Sequence, residues 1–403
     1  MKIKNRWVIL AAAVIANLCI GSAYAWSVFQ NPLINEFNLT LPQTNLAFTI
    51  SLFVVPFAMI LAGKIKTKLG SRRTIIIGGL IFGTGIFLAG FTNSVAGLYL
   101  TYGVLGGTGI GFVNGSTVPN AVQWFPDKRG LSGGIVAGGF ACGPVLFAPL
   151  AVNLIESLGV LHTFRLLGVV YAVVVTAAAL VISSPQENYK PKGWSPPTTS
   201  TGSVSTISLT TVEMLKTFRF WVLWVIYVLG CIAGLTIIGH ASPIGQERIG
   251  LSPETAAGVI VLIAIANGGG RMLWGAISDR IGRYRSVILM YILAGGMLIL
   301  LNWATSYLAF VVAVMGIALS FGGFVGVFPS ILADRFGPLH LAMNYGAMFS
   351  GYGLAAFIGP RLAAEVRQST GDYSLAFIIA SVMSAAGILL TIFVSISARK
   401  KSA

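Results

Sequence analysis

Long apolar stretches alternate with short polar ones along the whole chain. Twelve apolar runs can be counted in the 403 residues, and at about 20 residues each is long enough to cross a hydrocarbon core roughly 30 Å thick. Within the runs the apolar residues show no one-sided period, which is typical of helices surrounded by protein or lipid. The pattern therefore predicts an all-α membrane protein with twelve transmembrane helices.

One polar stretch is longer than the others and divides the runs six and six. From Ser183 to about Thr211 the chain is rich in Pro, Ser, Thr and Lys, a composition typical of a linker. The predicted domains are an N-terminal six-helix bundle at 1–183, a cytoplasmic linker at 184–216 and a C-terminal six-helix bundle at 217–403. Within this linker, Thr211–Lys216 is predicted to form a short helix at the membrane surface.

The number and the distribution of charged residues agree with a membrane protein. The net charge of +15 would suit a nucleic-acid partner, but only 9% of residues are charged and 56% are hydrophobic. Most Lys and Arg residues lie in the termini and in alternate loops, which is the positive-inside asymmetry and predicts that both termini are cytoplasmic. The basic character thus indicates topology, and no nucleic-acid partner is expected.

The first run and the cysteines need separate interpretation. Positive residues, an apolar stretch and Ala23-Tyr24-Ala25 also fit a cleavable signal peptide. Two cytoplasmic termini require an even number of spans, so we interpret this run as the first transmembrane helix.

All three cysteines lie inside runs, which implies no disulfide framework.

The two halves repeat a loop motif. Gly63–Arg73 follows the second run and Gly275–Arg285 follows the eighth, six runs later. Pseudo-symmetric halves of this kind are typical of secondary transporters, whose substrate site lies near the membrane midplane between the halves. A membrane sensor would need an output domain, an enzyme would need a reactive cluster, and a nucleotide-driven pump would need a phosphate-binding loop. The sequence shows none of these, so we expect a transporter without cofactor or metal.

The second copy of the loop resembles the signature loop of the major facilitator superfamily, whereas the first has Thr67 where an acidic residue is usual. The runs Gly270–Gly275, Trp124–Gly130 and Phe220–Trp224 make the chain similar to the oxalate/formate antiporter and monocarboxylate transporter branch, including bacterial lactate carriers. The resemblance implies two six-helix bundles, a monomer and a bacterial inner-membrane location. It also implies a gating role for five residues of the second loop: Gly275, Asp279, Arg280, Gly282 and Arg283.

Arg271 is the most informative single residue, because it lies inside an apolar run with no Asp or Glu within a helical turn or two. An arginine cannot lose its proton, so burying it at membrane depth costs at least a few kcal/mol without water, a partner or an anion. Asn267 is one turn earlier on the same face. We interpret Arg271 as a carboxylate-binding residue assisted by Asn267; the alternative is an arginine that pairs with helix carbonyls or snorkels.

Proton coupling has fewer candidates. The resemblance implies that eukaryotic monocarboxylate carriers have an Asp at the position of Asn267, and that this Asp takes part in proton coupling. All eleven acids of this chain lie at or near the ends of runs. Proton coupling would therefore depend on the substrate's own carboxylate or on His240. The alternative role of His240 is that of a hydrogen-bonded interfacial histidine.

Aromatic residues complete the predicted site. The resemblance implies that the oxalate carriers have a lysine, a second cation, at the position of Tyr352. Here that position is a tyrosine, and a single buried cation favours a monocarboxylate of the lactate or pyruvate type. The alternative, an oxalate/formate-type anion antiporter, needs a second cation, for which Arg361 is the candidate if it does not snorkel. Aromatic stripes at helical spacing usually pack, but the resemblance to the oxalate carriers' aromatic box supports several of these residues. The predicted substrate-binding set is Arg271, Asn267, Tyr352, Asn114, Tyr24, Phe140, Phe321, Phe324 and Phe349.

Overall fold

The computed structural model describes residues 5–186, 189–191, 194, 208–238 and 240–400. Most of the predicted linker, at 187–188, 192–193 and 195–207, lies outside the described residues, as do residues 1–4, 239 and 401–403. Within the described part the regular structure is entirely helical, as the apolar runs predicted.

Fifteen α-helices follow one another in the described residues, with a 3₁₀ turn at Ser22–Ala25 and a π-helical stretch at Tyr99–Gly106. The helices are α1 Arg6–Gly21, α2 Trp26–Phe37, α3 Leu41–Ala89, α4 Val95–Leu98, α5 Gly107–Trp124, α6 Arg129–Leu158, α7 Val160–Val181, α8 Thr211–Leu215, α9 Phe218–Ile238, α10 Ala241–Ile249, α11 Pro253–Ile281, α12 Arg283–Trp303, α13 Tyr307–Phe336, α14 Leu341–Thr370 and α15 Ser374–Lys400.

The helices account for the twelve predicted spans. In the described residues ten helical segments are long and apolar enough to cross a membrane. One of them, Gln43–Ala89, is 47 residues long and contains the second and third runs, because Gly70 breaks the helix with φ 77° and ψ 167°. The eleventh run forms α14, which has 30 residues.

The first of two compact units comprises the described residues of Met1–Asp127, Gly139–Trp194 and His340–Ala347. In it α3 packs against both α5 and α7. Gly107 and Gly111 of α5 face α3 so closely that a Cβ at either would lie 2.5 Å from an atom of that helix. The glycines that recur every four residues along α5 therefore form a small-residue face against α3.

The second unit comprises the described residues of Lys128–Gly138, Ser195–Leu339 and Met348–Ala403. Here α13 packs against α9, α11 and α12, and α15 packs against α9 and α12. Buried aliphatic and aromatic side chains such as Ile263, Phe310 and Phe377 form its core. The bundle boundaries at 183 and 217 remain predictions.

The two copies of the loop motif bend the chain in the same way. Gly70 of the first copy and Gly282 of the second have φ values of 77° and 96°, a region that L-residues with side chains rarely adopt. Gly282 separates α11 from α12. The short helix α8 also forms where it was predicted, capped by a Thr210–Glu213 capping box.

Candidate functional site

Arg271 lies in the interior of the second unit, 2% exposed. Its Nη1 donates to the carbonyl oxygen of Ala137 at 2.9 Å, and its Nε donates to Oδ1 of Asn267 at 3.4 Å. Asn267, 8% exposed, is thus beside Arg271 as the i, i+4 spacing predicted. Both acceptors are neutral, so neither of these two contacts cancels the positive charge.

Glycines allow two other helices to approach Arg271. A Cβ at Gly134 of α6 would overlap the Arg271 carbonyl oxygen, and one at Gly326 of α13 would lie 2.8 Å from the same atom. Gly322, one turn before Gly326, faces the Asn267 carbonyl in the same way. The Gly322–Gly326 spacing therefore lets α13 fit against the Asn267–Arg271 face of α11. Sequence analysis missed this role of α13, although the small-xxx-small spacing signals it.

Three of the predicted aromatic residues come together in the second unit. The rings of Phe349 and Tyr352 stack with centroids 4.8 Å apart, and Phe321 lies 6.2 Å from Tyr352. Phe324 lies elsewhere: its ring is 4.6 Å from that of Tyr291. Phe324 is fully buried there, an environment that suits core packing.

The remaining predicted substrate residues belong to the first unit. Tyr24 and Phe140 contact each other edge to face, with ring centroids 4.9 Å apart. Asn114 is 3% exposed, and within the described residues its Oδ1 has no hydrogen-bond partner. A buried amide oxygen of this kind is suited to accept a hydrogen bond from a ligand or a water molecule.

Asn17 is a buried polar residue that sequence analysis did not single out. Its Nδ2 donates to the Ala13 carbonyl at 2.8 Å and to Oγ1 of Thr117 at 2.7 Å. Thr117 must accept there, because its own proton goes to the Val113 carbonyl at 2.8 Å. These bonds fix the orientation of the Asn17 amide on α1. Its partner Thr117 lies one turn from Asn114 along α5. The sequence did offer one sign of this residue, because Asn17 is a neutral amide within an apolar run.

Two of the predicted gating residues, Asp279 and Arg283, belong to a hydrogen-bond network in the second unit. The carboxylate of Asp279 accepts hydrogen bonds from the backbone N–H groups of Gly130 and Leu131, at 2.9 Å each. These groups are at the start of α6, where the helix dipole favours a negative charge. Arg283 Nη1 also donates to Asp279 at 2.6 Å. The Asp279 carboxylate therefore contacts a helix N-terminus, and its gating role stays a prediction.

Two further charged residues extend this network. Asp334 accepts from Arg283 Nε at 2.9 Å and from Arg129 Nη1 at 2.6 Å, so it joins the end of α13 to the start of α6. Gly275 contacts Gly130, since a Cβ at Gly275 would overlap the Gly130 carbonyl. Arg280 is exposed, and the part of the chain that the structure describes shows no hydrogen bond or ion pair joining it to these residues.

Among the described residues, the first copy of the loop shows no network around a carboxylate of its own. Thr67 occupies the position of Asp279, and its hydroxyl donates to the Lys64 carbonyl one turn earlier, at 2.8 Å. Gly63, in the position of Gly275, lies against Met343 near the start of α14. Close packing is thus repeated in both copies, whereas the carboxylate is present only in the second.

His240 lies between α9 and α10, and Arg361 lies within α14. His240 Nε2 donates to the Pro360 carbonyl at 2.9 Å, and burial lowers the pKa of the imidazole while the Glu247 carboxylate opposes this. Arg361 pairs with Glu365 at 2.7 Å, and both side chains are 63% exposed. Arg361 is therefore a surface residue in an ion pair.

Sequence comparison gives relatives over nearly the full length. The chain is 31% identical over 394 residues to the oxalate:formate antiporter of Oxalobacter formigenes, covering 97% of this chain and 91% of the relative. It is 28% identical over 420 residues to monocarboxylate transporter 2 of Rattus norvegicus, covering 98% and 84%.

Structural comparison gives the same fold. The chain superposes on the transporter FucP of E. coli, solved in its outward conformation, with a TM-score of 0.70 and 16% sequence identity, covering 95% of this chain and 98% of that one. The family model of the Major Facilitator Superfamily matches residues 10–360 and 270–403. The predicted twelve-helix fold is confirmed, and the chain belongs to the Major Facilitator Superfamily, a family of transporters rather than enzymes.

Proposed function

We propose that the protein is a secondary transporter that moves a small monocarboxylate such as lactate or pyruvate together with a proton, by alternating access. The observation that carries the proposal is Arg271, a buried guanidinium whose contacts with Ala137 and Asn267 involve neutral acceptors. A carboxylate bound there would neutralise the charge and accept two parallel hydrogen bonds. Similarity to a monocarboxylate transporter along 98% of the chain supports this class of substrate.

A monoanion suits this chain better than a dianion. Arg361, the candidate for a second cation, is exposed and paired with Glu365, and position 352 carries a phenol. A dianion would retain about one unpaired charge beside Arg271, and in the membrane interior that is costly. The similarity to an oxalate:formate antiporter makes exchange of organic anions the second candidate function.

Coupling to a proton would use the substrate or His240, because Asn267 is an amide and cannot titrate. The hydrogen bond from His240 to Pro360 links the junction between α9 and α10 to α14. Protonation of the bound carboxylate is the simpler route, since it neutralises the anion as it leaves the arginine.

Transport would follow from differential binding to two states. The substrate neutralises Arg271, and this favours the conformation in which the anion is enclosed. The Asp279–Arg283–Asp334 network would be broken and reformed once in each cycle. We place the protein in a bacterial inner membrane with both termini cytoplasmic, and we expect it to act as a monomer.

The test is uptake of labelled L-lactate into proteoliposomes, with and without an inward proton gradient. Acceleration by the gradient without any internal anion would support proton-linked transport. Uptake that is independent of the gradient and requires internal oxalate or formate would instead support the exchange of organic anions.

Two arginine variants test the site itself. Arg271→Ala should abolish uptake while the protein still elutes as a folded monomer, whereas Arg361→Gln should leave lactate uptake unchanged. Uptake at the wild-type rate by Arg271→Ala would refute the assignment of the carboxylate-binding residue.

A further inference from the structure

A groove on the second unit lies between the end of α12 and the first half of α15. Its volume is about 370 Å³, within the roughly 300–1,000 Å³ typical of small-ligand sites. The lining residues are Leu298, Ile299, Asn302, Trp303, Phe377, Ile378, Ser381, Val382 and Ala385. We propose that this groove is a phospholipid-binding site, which takes one acyl chain along its wall and the lipid phosphate at Arg248.

The wall has the chemistry of an acyl-chain site. All but two of its residues are apolar, and Trp303, Val382 and Ile299 are 75%, 63% and 57% exposed. In a protein that spans a membrane, side chains exposed on the outside of a bundle meet lipid. One of the two polar residues, Ser381, makes a hydrogen bond within its own helix: its hydroxyl donates to the Phe377 carbonyl at 2.8 Å. An acyl chain would therefore lie in the groove without leaving the Ser381 hydroxyl unpaired.

Arg248, on α10, contacts two residues of the groove wall, Asn302 and Phe377. Its Nη1 donates to Ser374 Oγ at 3.1 Å and its Nη2 donates to the Asn302 carbonyl. The guanidinium is 5.8 Å from the Phe377 ring centroid. Arg248 therefore holds the ends of α12 and α15 together, at the end of the groove that a lipid headgroup would occupy.

The two nearby acids, Asp372 and Glu247, have other hydrogen-bond or ion-pair partners, although Arg248 is, after Ser374, one of the groups that lower the pKa of Asp372. Among the described residues no acid forms an ion pair with Arg248. The Asp372 carboxylate accepts from the Ser374 amide at 3.1 Å and from its hydroxyl at 2.6 Å, and Glu247 pairs with Arg367 at 2.6 Å. A guanidinium bound to neutral acceptors at the end of an apolar groove matches a phosphate attached to acyl chains.

Asn302 adds a second polar point of recognition. Within the described residues its buried Oδ1 lacks a hydrogen-bond partner, and an amide oxygen can only accept. A glycerophospholipid supplies both complements, since its phosphate accepts from Arg248 and a headgroup hydroxyl or ammonium donates to Asn302. Trp303 beside it is suited to the interface between acyl chains and headgroups.

The test is native mass spectrometry of the full chain purified in detergent, followed by titration with defined lipids. We expect one retained phospholipid per wild-type chain. Ala385→Trp, which fills the groove, should lose it. Ala177→Trp, at another exposed alanine, on α7, should keep it, and both variants should elute as folded monomers.

A second variant tests the headgroup contact separately. Arg248→Gln should weaken phospholipid binding by about tenfold in Kd, the effect of one hydrogen bond to a charged group, and leave diacylglycerol of the same chain length unaffected. Retention of lipid by Ala385→Trp, or equal loss of phospholipid and diacylglycerol in Arg248→Gln, would overturn the proposal. A wild-type dimer without lipid that Ala385→Trp dissociates would assign the groove to a second copy of the chain.

Discussion

Two adjacent glycines next to Arg271 allow a controlled test of the close helix contact at the site. A Cβ at Gly270 would overlap the carbonyl group of Leu319 on α13, whereas a Cβ at Gly269 would meet, among the described residues, no atom within 4 Å beyond its own stretch of helix. Gly270→Ala and Gly269→Ala are therefore the same chemical change in the same helix, and they differ in one contact.

The expected magnitudes follow from this difference. Each substitution gains about 1 kcal/mol of helix propensity in the folded state. Only Gly270→Ala must also displace the backbone of α13, and overpacking of this kind costs roughly 1–3 kcal/mol. We therefore expect Gly269→Ala to be neutral or stabilising, and Gly270→Ala to be less stable than Gly269→Ala by roughly 1–3 kcal/mol.

Thermal unfolding in detergent, followed by intrinsic tryptophan fluorescence, measures the difference. A gap of that size corresponds to a midpoint for Gly270→Ala that is a few degrees below that of Gly269→Ala. Since Arg271 is the next residue, the same displacement should also raise the KM for lactate in Gly270→Ala alone. Equal midpoints and equal KM values in the two variants would refute the argument that α13 constrains Arg271.

Three further predictions concern other parts of the molecule. Asp279→Asn should lower the free energy of unfolding by about 1–3 kcal/mol, because charge-assisted bonds at the start of α6 are lost; an unchanged unfolding midpoint would contradict this. Burial lowers the pKa of His240 below its usual value, so the unfolded chain binds more protons and stability should fall as the pH drops below about 6.5. His240→Gln should reduce that dependence and Glu247→Gln should increase it, as midpoints measured between pH 7.5 and 5.5 would show. Thr117→Val should cost about 1–3 kcal/mol by leaving a buried N–H of Asn17 unpaired, and much less in an Asn17→Leu background; additive effects in the double variant would argue against the bond.

The parts of the structure that depend on local spacing were predictable from the sequence. Membrane spans require only length and apolar composition, and the contact between Asn267 and Arg271 follows from the four-residue period of a helix. The bend at Gly282 follows from a glycine between two runs. Local rules of this kind apply within one helix and at its ends.

Contacts between helices distant in the chain were not predictable in this way. The Ala137 carbonyl that accepts from Arg271 is 134 positions away, and Asp334 lies 205 positions from Arg129. No period or motif within one helix specifies such pairs, because they depend on how the helices pack. The same reason explains Phe324, which shares a helical stripe with Phe321 but packs against Tyr291. Spacing indicates a face of a helix, and it does not indicate which neighbour that face meets.

The two copies of the repeated loop share their packing but differ in their charged contacts. In both copies a glycine at the start of the motif permits a close helix contact, Gly63 with Met343 and Gly275 with Gly130. Only the second copy adds a carboxylate, Asp279, which accepts two backbone hydrogen bonds from the start of α6. Separating the second contact must therefore break charge-assisted bonds as well as close packing, whereas the carboxylate term is absent from the first. The two copies share a geometry, and in the second copy the Asp279 carboxylate adds charge-assisted hydrogen bonds to it.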